Sequence, residues 1–125
     1  MRALVLLPTA LLALAGCAAP RPMTDAERAI AVGALFQPPA DRPGIHGIFG
    51  VESYGYLSNL EITYFPDEVS DAEVMARADR YCRRHKDKGA ADTARSRGAP
   101  SDGTVTLSDG TERAARSVWI TCTPA

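Results

Sequence analysis

Residues 69 to 89 place the strongest constraint on what this 125-residue chain can fold into, because they spell one amphipathic helix with both ends marked. Val69, Ser70, Glu73 and Val74 occupy the staple, cap and box positions of a helix start. Val74, Ala78, Tyr81, Cys82 and His85 then recur at i, i+4, i+7, i+8 and i+11, a continuous apolar stripe. Asp71 and Glu73 open the helix and Arg83, Arg84 and Lys86 close it, both favourable to its dipole. Gly89 is the natural terminator. The spacing predicts a helix over 71–87 with one buried face. Cys82 lies within that face, which favours a structural thiol over a reactive one.

Such a helix needs a surface to cover, and most of the remaining chain reads as strands. Leu60, Ile62 and Tyr64 alternate with Glu61, Thr63 and Phe65, the period of a half-buried strand, and Pro66 stops it. Before it, Gly44, Gly47, Gly50 and Gly55 separate Ile48, Phe49, Val51, Tyr54 and Tyr56. A phosphate-cradling loop would need a helical pattern next, so a bent or bulged strand is expected. Residues 90–103 are small, polar and charged, a loop holding at most one short strand. Thr104 to Leu107 alternates again, and Asp109-Gly110 signals a hairpin. On the return strand Val118, Ile120 and Cys122 share a face with Arg116. This conflict implies a bulge, or a strand that outruns its partner and pairs with 57–65. Trp119 points the other way, either under a first helix or toward solvent.

That first helix opens at Thr24 and Glu27, a capping box, and ends at Pro38-Pro39. Ala26, Ala29, Ile30, Gly33 and Phe36 form its apolar spacing. Gly33 weakens it by about 1 kcal/mol relative to alanine, and a peripheral position is expected. The fold class is α+β: a small, mainly antiparallel sheet from residues 47–56, 57–65, 104–108 and 116–122, with the 71–87 helix packed on one face.

The amino terminus carries a different message. After Met1 and Arg2 comes an apolar run, Ala3 to Ala15, ending in Leu14, Ala15, Gly16 and Cys17. These four residues resemble the lipobox of bacterial lipoproteins, an aliphatic residue and two small ones before a cysteine. The resemblance implies a signal segment 1–16, a diacylglyceryl thioether on Cys17, a tether 17–23 and a single domain 24–125. Ala18 stands where aspartate would signal inner-membrane retention, implying an outer-membrane anchor facing the periplasm. Each buried acyl methylene contributes about 0.8 kcal/mol, so two or three chains hold firmly. Two rivals are weaker. A spanning helix needs about 20 residues, more than this Pro8-interrupted run supplies, and a secretory signal cleaved near Ala19 leaves Cys17 without a role.

With Cys17 assigned to lipid, Cys82 and Cys122 remain as a pair in an oxidising compartment, and a bridge is expected. It would close a loop of about 40 residues and contribute on the order of 4 kcal/mol. The alternatives are a reactive thiol or a metal site, the latter because Cys82 and His85 lie three apart. No second histidine or carboxylate stands at ligand spacing, so neither metal nor cofactor is expected.

Function is less legible. With 14 basic and 15 acidic residues, bulk attraction to nucleic acid is not expected. The charges are segregated, however. Asp41 to Glu73 holds seven acidic residues and one basic, whereas Arg77 to Arg97 holds eight basic and three acidic. Arg80, Arg83, Arg84 and Lys88 are therefore candidates for binding an anionic surface, lipid headgroups or a carboxylate-bearing wall polymer. The competing reading is a solvated helix face with dipole-matched ends. Serines lack the glycine-flanked nucleophile context, and the carboxylates around 67–73 are explained by the helix start.

An accessory or binding role in the envelope is expected, with an envelope protein or peptidoglycan as partner. The alternative is a small cell-wall hydrolase or an inhibitor of an envelope enzyme. Lysozyme-inhibitor lipoproteins share the anchor and a disulfide but are mainly β, and the helix through Cys82 departs from them. An enzyme should show a hollow holding His46 or His85 beside a carboxylate.

Overall fold

Twelve residues of alternating polarity, β5 (Glu112–Thr123), form the spine of the molecule. The computed structural model describes residues 21–53, 56–86 and 92–124. In chain order these are α1 (Asp25–Leu35), a 3-10 turn (Pro39–Asp41), β1 (Ile45–Ser53), β2 (Tyr56–Tyr64), α2 (Asp71–Arg84), β3 (Thr93–Ser96), β4 (Ser101–Thr106) and β5. All strand pairs are antiparallel, in the order β1-β2-β5-β3, with β4 also on β5. One edge of β5 takes β2 along Arg116–Thr121. Its other edge takes β4 along Glu112–Ser117 and β3 along Ile120–Thr123.

The two-residue period sorts the sheet into two faces. Leu60, Ile62, Tyr64, Val118, Ile120 and Cys122 point inward, where α2 meets them with Val74, Ala78, Tyr81 and Cys82. Leu60, Ile62 and Ile120 are fully buried, each worth about 1.5–3 kcal/mol of apolar transfer. A disulfide joins Cys82 of α2 to Cys122 of β5, with 5.5 Å between Cα atoms. The α+β class, the antiparallel sheet and the bridge all match expectation.

Several details differ. Helix α2 stops at Arg84 rather than 87. The His85 ring takes the Tyr81 carbonyl (Nδ1 to O, 3.0 Å) that the next α-turn needs, and its backbone N–H donates to Cys82 O instead. Gly89, the expected terminator, lies outside the described residues. At the helix start Ser70 Oγ accepts from the Glu73 N–H at 3.1 Å, but the Glu73 carboxylate does not close the box. It turns to Arg77 and Arg80.

Helix α1 forms its full capping box with Thr24 and Glu27. Its buried face holds Phe36 as expected, but Val32 joins it in place of Ile30, which is exposed. Burying valine with phenylalanine removes more apolar area than the alanines would. Phe36 stands edge-on to Tyr81 at 6.3 Å, so α1 contributes to the core rather than lying at its periphery.

Residues 92–103 hold β3, the one short strand that the expected loop allows, and also the start of β4. Ala94 is the one buried residue of β3, too little for an apolar signal, and its N–H donates to the Asp79 carboxylate at 2.6 Å. The hairpin loop has three residues, Ser108 to Gly110, with Gly110 at φ +84°. Gly110 N–H donates to Leu107 O and Leu107 N–H to Thr111 O, a turn closed by a bulge. Strand β1 is bulged at His46, beside Gly47, while a second shift places its extra residue, Ser58, on β2. Arg116 keeps its inward position because Asp71 and Asp102 pair with it (3.1 and 2.6 Å), and β5 does outrun β4 to pair with β2. Among the described residues, no helix is long and apolar enough to cross a membrane.

Candidate functional site: the open face of the sheet

Both helices bury their apolar side chains against the inward face, and the outward residues form rows across the strands. Phe49, Glu61 and Trp119 are register partners, and the Arg97 N–H continues that row by donating to Trp119 O at 2.7 Å. The next row is Val51, Asn59, Thr121 and Arg95. On the other side stand Gly47, Thr63, Ser117 and Ser101. Trp119 is thus not covered by α1. Phe49 is 66% exposed, Val51 56% and Trp119 37%, and the two rings meet edge to face at 6.4 Å. Thr121 Oγ1 donates to Asn59 Oδ1 at 2.9 Å, and the Thr63 and Ser117 hydroxyls lie 2.9 Å apart. A hollow of about 340 Å³ is lined by Arg97 and Trp119. Neither Arg95 nor Arg97 forms an ion pair among the described residues.

The arginines of α2 are placed differently. Pro38-Pro39 ends α1 and starts the 3-10 turn that swings Asp41 beneath α2, where it is 2% exposed. Arg80 grips that carboxylate with Nη2 at 2.6 Å and Nε at 3.1 Å, and also meets Glu73 at 3.1 Å. Arg77, itself buried, donates to the carbonyls of Asp41 and Pro43 (3.0 and 2.6 Å). Arg84 lies 3.9 Å from Asp41. The hydrogen bonds from Arg80, then the fields of Arg80, Arg84 and Arg77, hold the Asp41 carboxyl below the usual range. Arg77 and Arg80 do the same for Glu73.

Of the four basic residues singled out in the sequence, Arg80 and Arg84 therefore face Asp41. Arg83 is exposed, 3.9 Å from Asp79, and Lys88 lies outside the described residues, as does Cys17. The two oppositely charged segments fold onto one another. Arg95 and Arg97 belong to the same basic segment but reach the open face. Their two-residue spacing was a signal, readable only once β3 is known to be a strand.

No protein-family model, curated protein or solved structure matches this chain. Its chemistry must be read from its own side chains.

The histidines occupy separate hollows. His85 lines one of about 240 Å³ with Glu52, Tyr56 and Tyr81. Its ring lies nearly parallel to Tyr56 at 5.6 Å and tilted to Tyr81 at 4.6 Å. The Tyr81 hydroxyl donates to Leu57 O and accepts from Leu57 N–H, and burial pushes its pKa up to about 12. His46 is half-buried against the edge of Phe65, in a hollow of about 190 Å³ with Asp25 and Arg28. Desolvation and Arg28 lower its pKa, with Asp25 opposing. The Asp25 carboxylate, however, accepts from the Ser108 hydroxyl.

Each histidine thus shares a hollow with a carboxylate, but neither imidazole hydrogen-bonds to one among the described residues. The His85 ring is oriented instead by the Tyr81 carbonyl, 3.0 Å from Nδ1. At the start of α2 the Tyr64 hydroxyl donates to Asp71 at 2.6 Å beside Arg116. Burial, then that bond, raises its pKa. No cluster of three His, Cys, Asp or Glu side chains suited to a metal occurs among the described residues. Cys82 is consumed by its bridge, which removes the reactive-thiol and metal readings at that position.

Proposed function

We propose that this chain is a lipid-anchored accessory module of the bacterial cell envelope. In this reading Cys17 carries the acyl chains, the domain faces the periplasm from the outer membrane, and its surface holds a partner. The observation that carries the binding role is the helix-free sheet face, where Phe49, Val51 and Trp119 stay exposed in the middle of well-formed strands. A solvated sheet face ordinarily carries polar side chains, and apolar ones left there mark interaction sites. The buried bridge between Cys82 and Cys122 supports an oxidising compartment.

Intact-mass analysis of membrane-extracted protein tests the anchor. A mature chain starting at acylated Cys17 is expected, and an unprocessed Met1 refutes the reading. Capture of the acylated form from detergent-solubilised envelopes tests the role, with a stoichiometric partner or wall fragment expected. A second reading, a small wall hydrolase, draws on His85 and Glu52 sharing one hollow. Release of soluble fragments from sacculi, abolished by His85→Ala, would replace the binding role with it.

A further inference from the structure

We infer that the open sheet face is a platform for a glycan bearing carboxylated peptide stems, the chemistry of peptidoglycan strands. This rests on the envelope reading above and names its ligand and site.

Sugar rings present an apolar face of C–H groups and a rim of hydroxyls. Phe49, Trp119 and Val51 offer apolar surface interleaved with Glu61, Asn59, Thr63, Ser117 and Thr121, groups that exchange hydrogen bonds with hydroxyls. Glu61, between Phe49 and Trp119, accepts from sugar hydroxyls and repels carboxylates there, which leaves them the β3 edge of the face. Carboxylates on the stems have a complement of their own. Arg95 at the register of Thr121, and Arg97 just past β3 beside Trp119, stand on the same face, both exposed and without an ion pair among the described residues. A guanidinium free of a protein partner is suited to bidentate capture of a carboxylate. The hollow beside Trp119 and Arg97, about 340 Å³, brings both features to one place.

A protein partner is the poorer fit. Standard interfaces take about 800 Å² per side around an apolar core, and here three apolar side chains stand among polar ones. The basic end of α2 is the poorer glycan site, since Asp41 already neutralises Arg80.

The test is co-sedimentation of the full acylated protein, in detergent, with trypsin-stripped sacculi, chitin and anionic phospholipid vesicles. Binding to stripped sacculi and weaker retention on chitin, which lacks carboxylates, are expected. Arg97→Gln should weaken sacculus binding by about tenfold, the value of one charge-assisted hydrogen bond. Phe49→Ala and Trp119→Ala should weaken it, and Arg83→Gln should leave it unchanged. Arg97 and Phe49 are exposed, so thermal melts of these two variants keep the test readable if Trp119→Ala misfolds.

No pelleting, or equal binding by Arg97→Gln and Phe49→Ala, overturns the inference. Equal retention on chitin, binding only to unstripped sacculi, or vesicle binding that needs Arg83 overturns it too, the last two in favour of a protein or a lipid surface. An acylated protein that ignores sacculi refutes this inference alone. An unacylated one refutes the envelope reading while the binding assay still reports on the face.

Discussion

Replacing either partner of the Asp41–Arg80 pair should destabilise the domain, and unequally. Asp41 has a side chain 3% exposed, whereas that of Arg80 is 44% exposed. Hydrogen bonds to charged groups contribute about 1.5–3 kcal/mol net, while a fully exposed pair contributes about 0–1 kcal/mol. In Asp41→Asn the abandoned group is a guanidinium that water reaches, so a loss of about 2 kcal/mol is expected. In Arg80→Gln the abandoned group is a buried carboxylate with Arg84 only at 3.9 Å, which moves the loss toward the buried-pair range, to about 3 kcal/mol. The double variant should cost less than the sum of the two. Urea denaturation at neutral pH reads all three, with melting points lower by roughly 4–8 °C per kcal/mol. Because the Asp41 pKa is lowered from 3.8 in the fold, its contribution is present at neutral pH and fades as pH falls below that value. The Asp41→Asn difference should shrink with it. Additive single losses, or an Arg80→Gln loss below about 0.5 kcal/mol, would refute the view that a buried carboxylate organises this corner.

Removing the bridge with Cys82→Ala and Cys122→Ala should cost on the order of 4 kcal/mol for a 40-residue separation; melts with and without reductant check it, and a shift under about 5 °C counts against it. Gly44→Ala should lose about 2 kcal/mol or more, because φ is +79° and the new Cβ would lie 2.8 Å from Val69 Cγ1. Gly47→Ala, with open space around it, should be near neutral by the same urea titration. His46 has its pKa lowered from 6.5, so the unfolded chain takes up a proton more readily. Wild-type stability should therefore fall as pH drops below about 6.5, and His46→Gln should flatten that slope in melts across pH 5–8.

Elements marked by large residues in strict period were legible from the sequence, and those marked by small ones were not. The α2 stripe, the 57–65 alternation and the Val118–Cys122 face each commit bulky side chains to one side. Strand β3 has only Ala94 to place inward, which period alone does not separate from a polar loop. Helix α1 is legible through its cap and Phe36, but its face is not, because Ala26, Ala29 and Ile30 follow helical spacing as well as Val32 does. Charge was the most misleading signal. Segments of opposite sign looked like surface poles, yet Asp41 and Arg80, 39 residues apart, meet in the fold. Linear charge counting sees composition, and pairing is decided by the chain reversal at Pro38-Pro39. Arg95 and Arg97 escaped notice for the same reason in reverse, since their separation from the α2 cluster depends on a strand the pattern concealed.

The ties that hold the molecule lie mostly on one side of its sheet. The Cys82–Cys122 bridge, the Asp41–Arg80 pair, the Asp79 bond to Ala94 and the Tyr64–Asp71–Arg116 group all join the helix layer to the inward face or to the turn beneath it. Among the described residues, the outward face around Trp119 is knit by neutral pairs, Asn59 with Thr121 and Thr63 with Ser117, and charge enters only farther along β5, where Arg113 meets Asp67 and Glu68. Stability and surface chemistry are therefore physically separable here. The helix side supplies the core and the strong couplings, while the most exposed outward side chains, Phe49 and Val51, can change with effects of roughly 0.5 kcal/mol or less. A face relieved of structural duty can keep exposed rings and unpaired guanidinium groups. If Cys17 carries the proposed anchor, the tether 17–23 holds the start of the domain, and with it the body that bears this face, within about 25 Å of chain reach, at about 3.5 Å per residue. Under that geometry a ligand at the membrane-proximal wall needs no long linker to meet it.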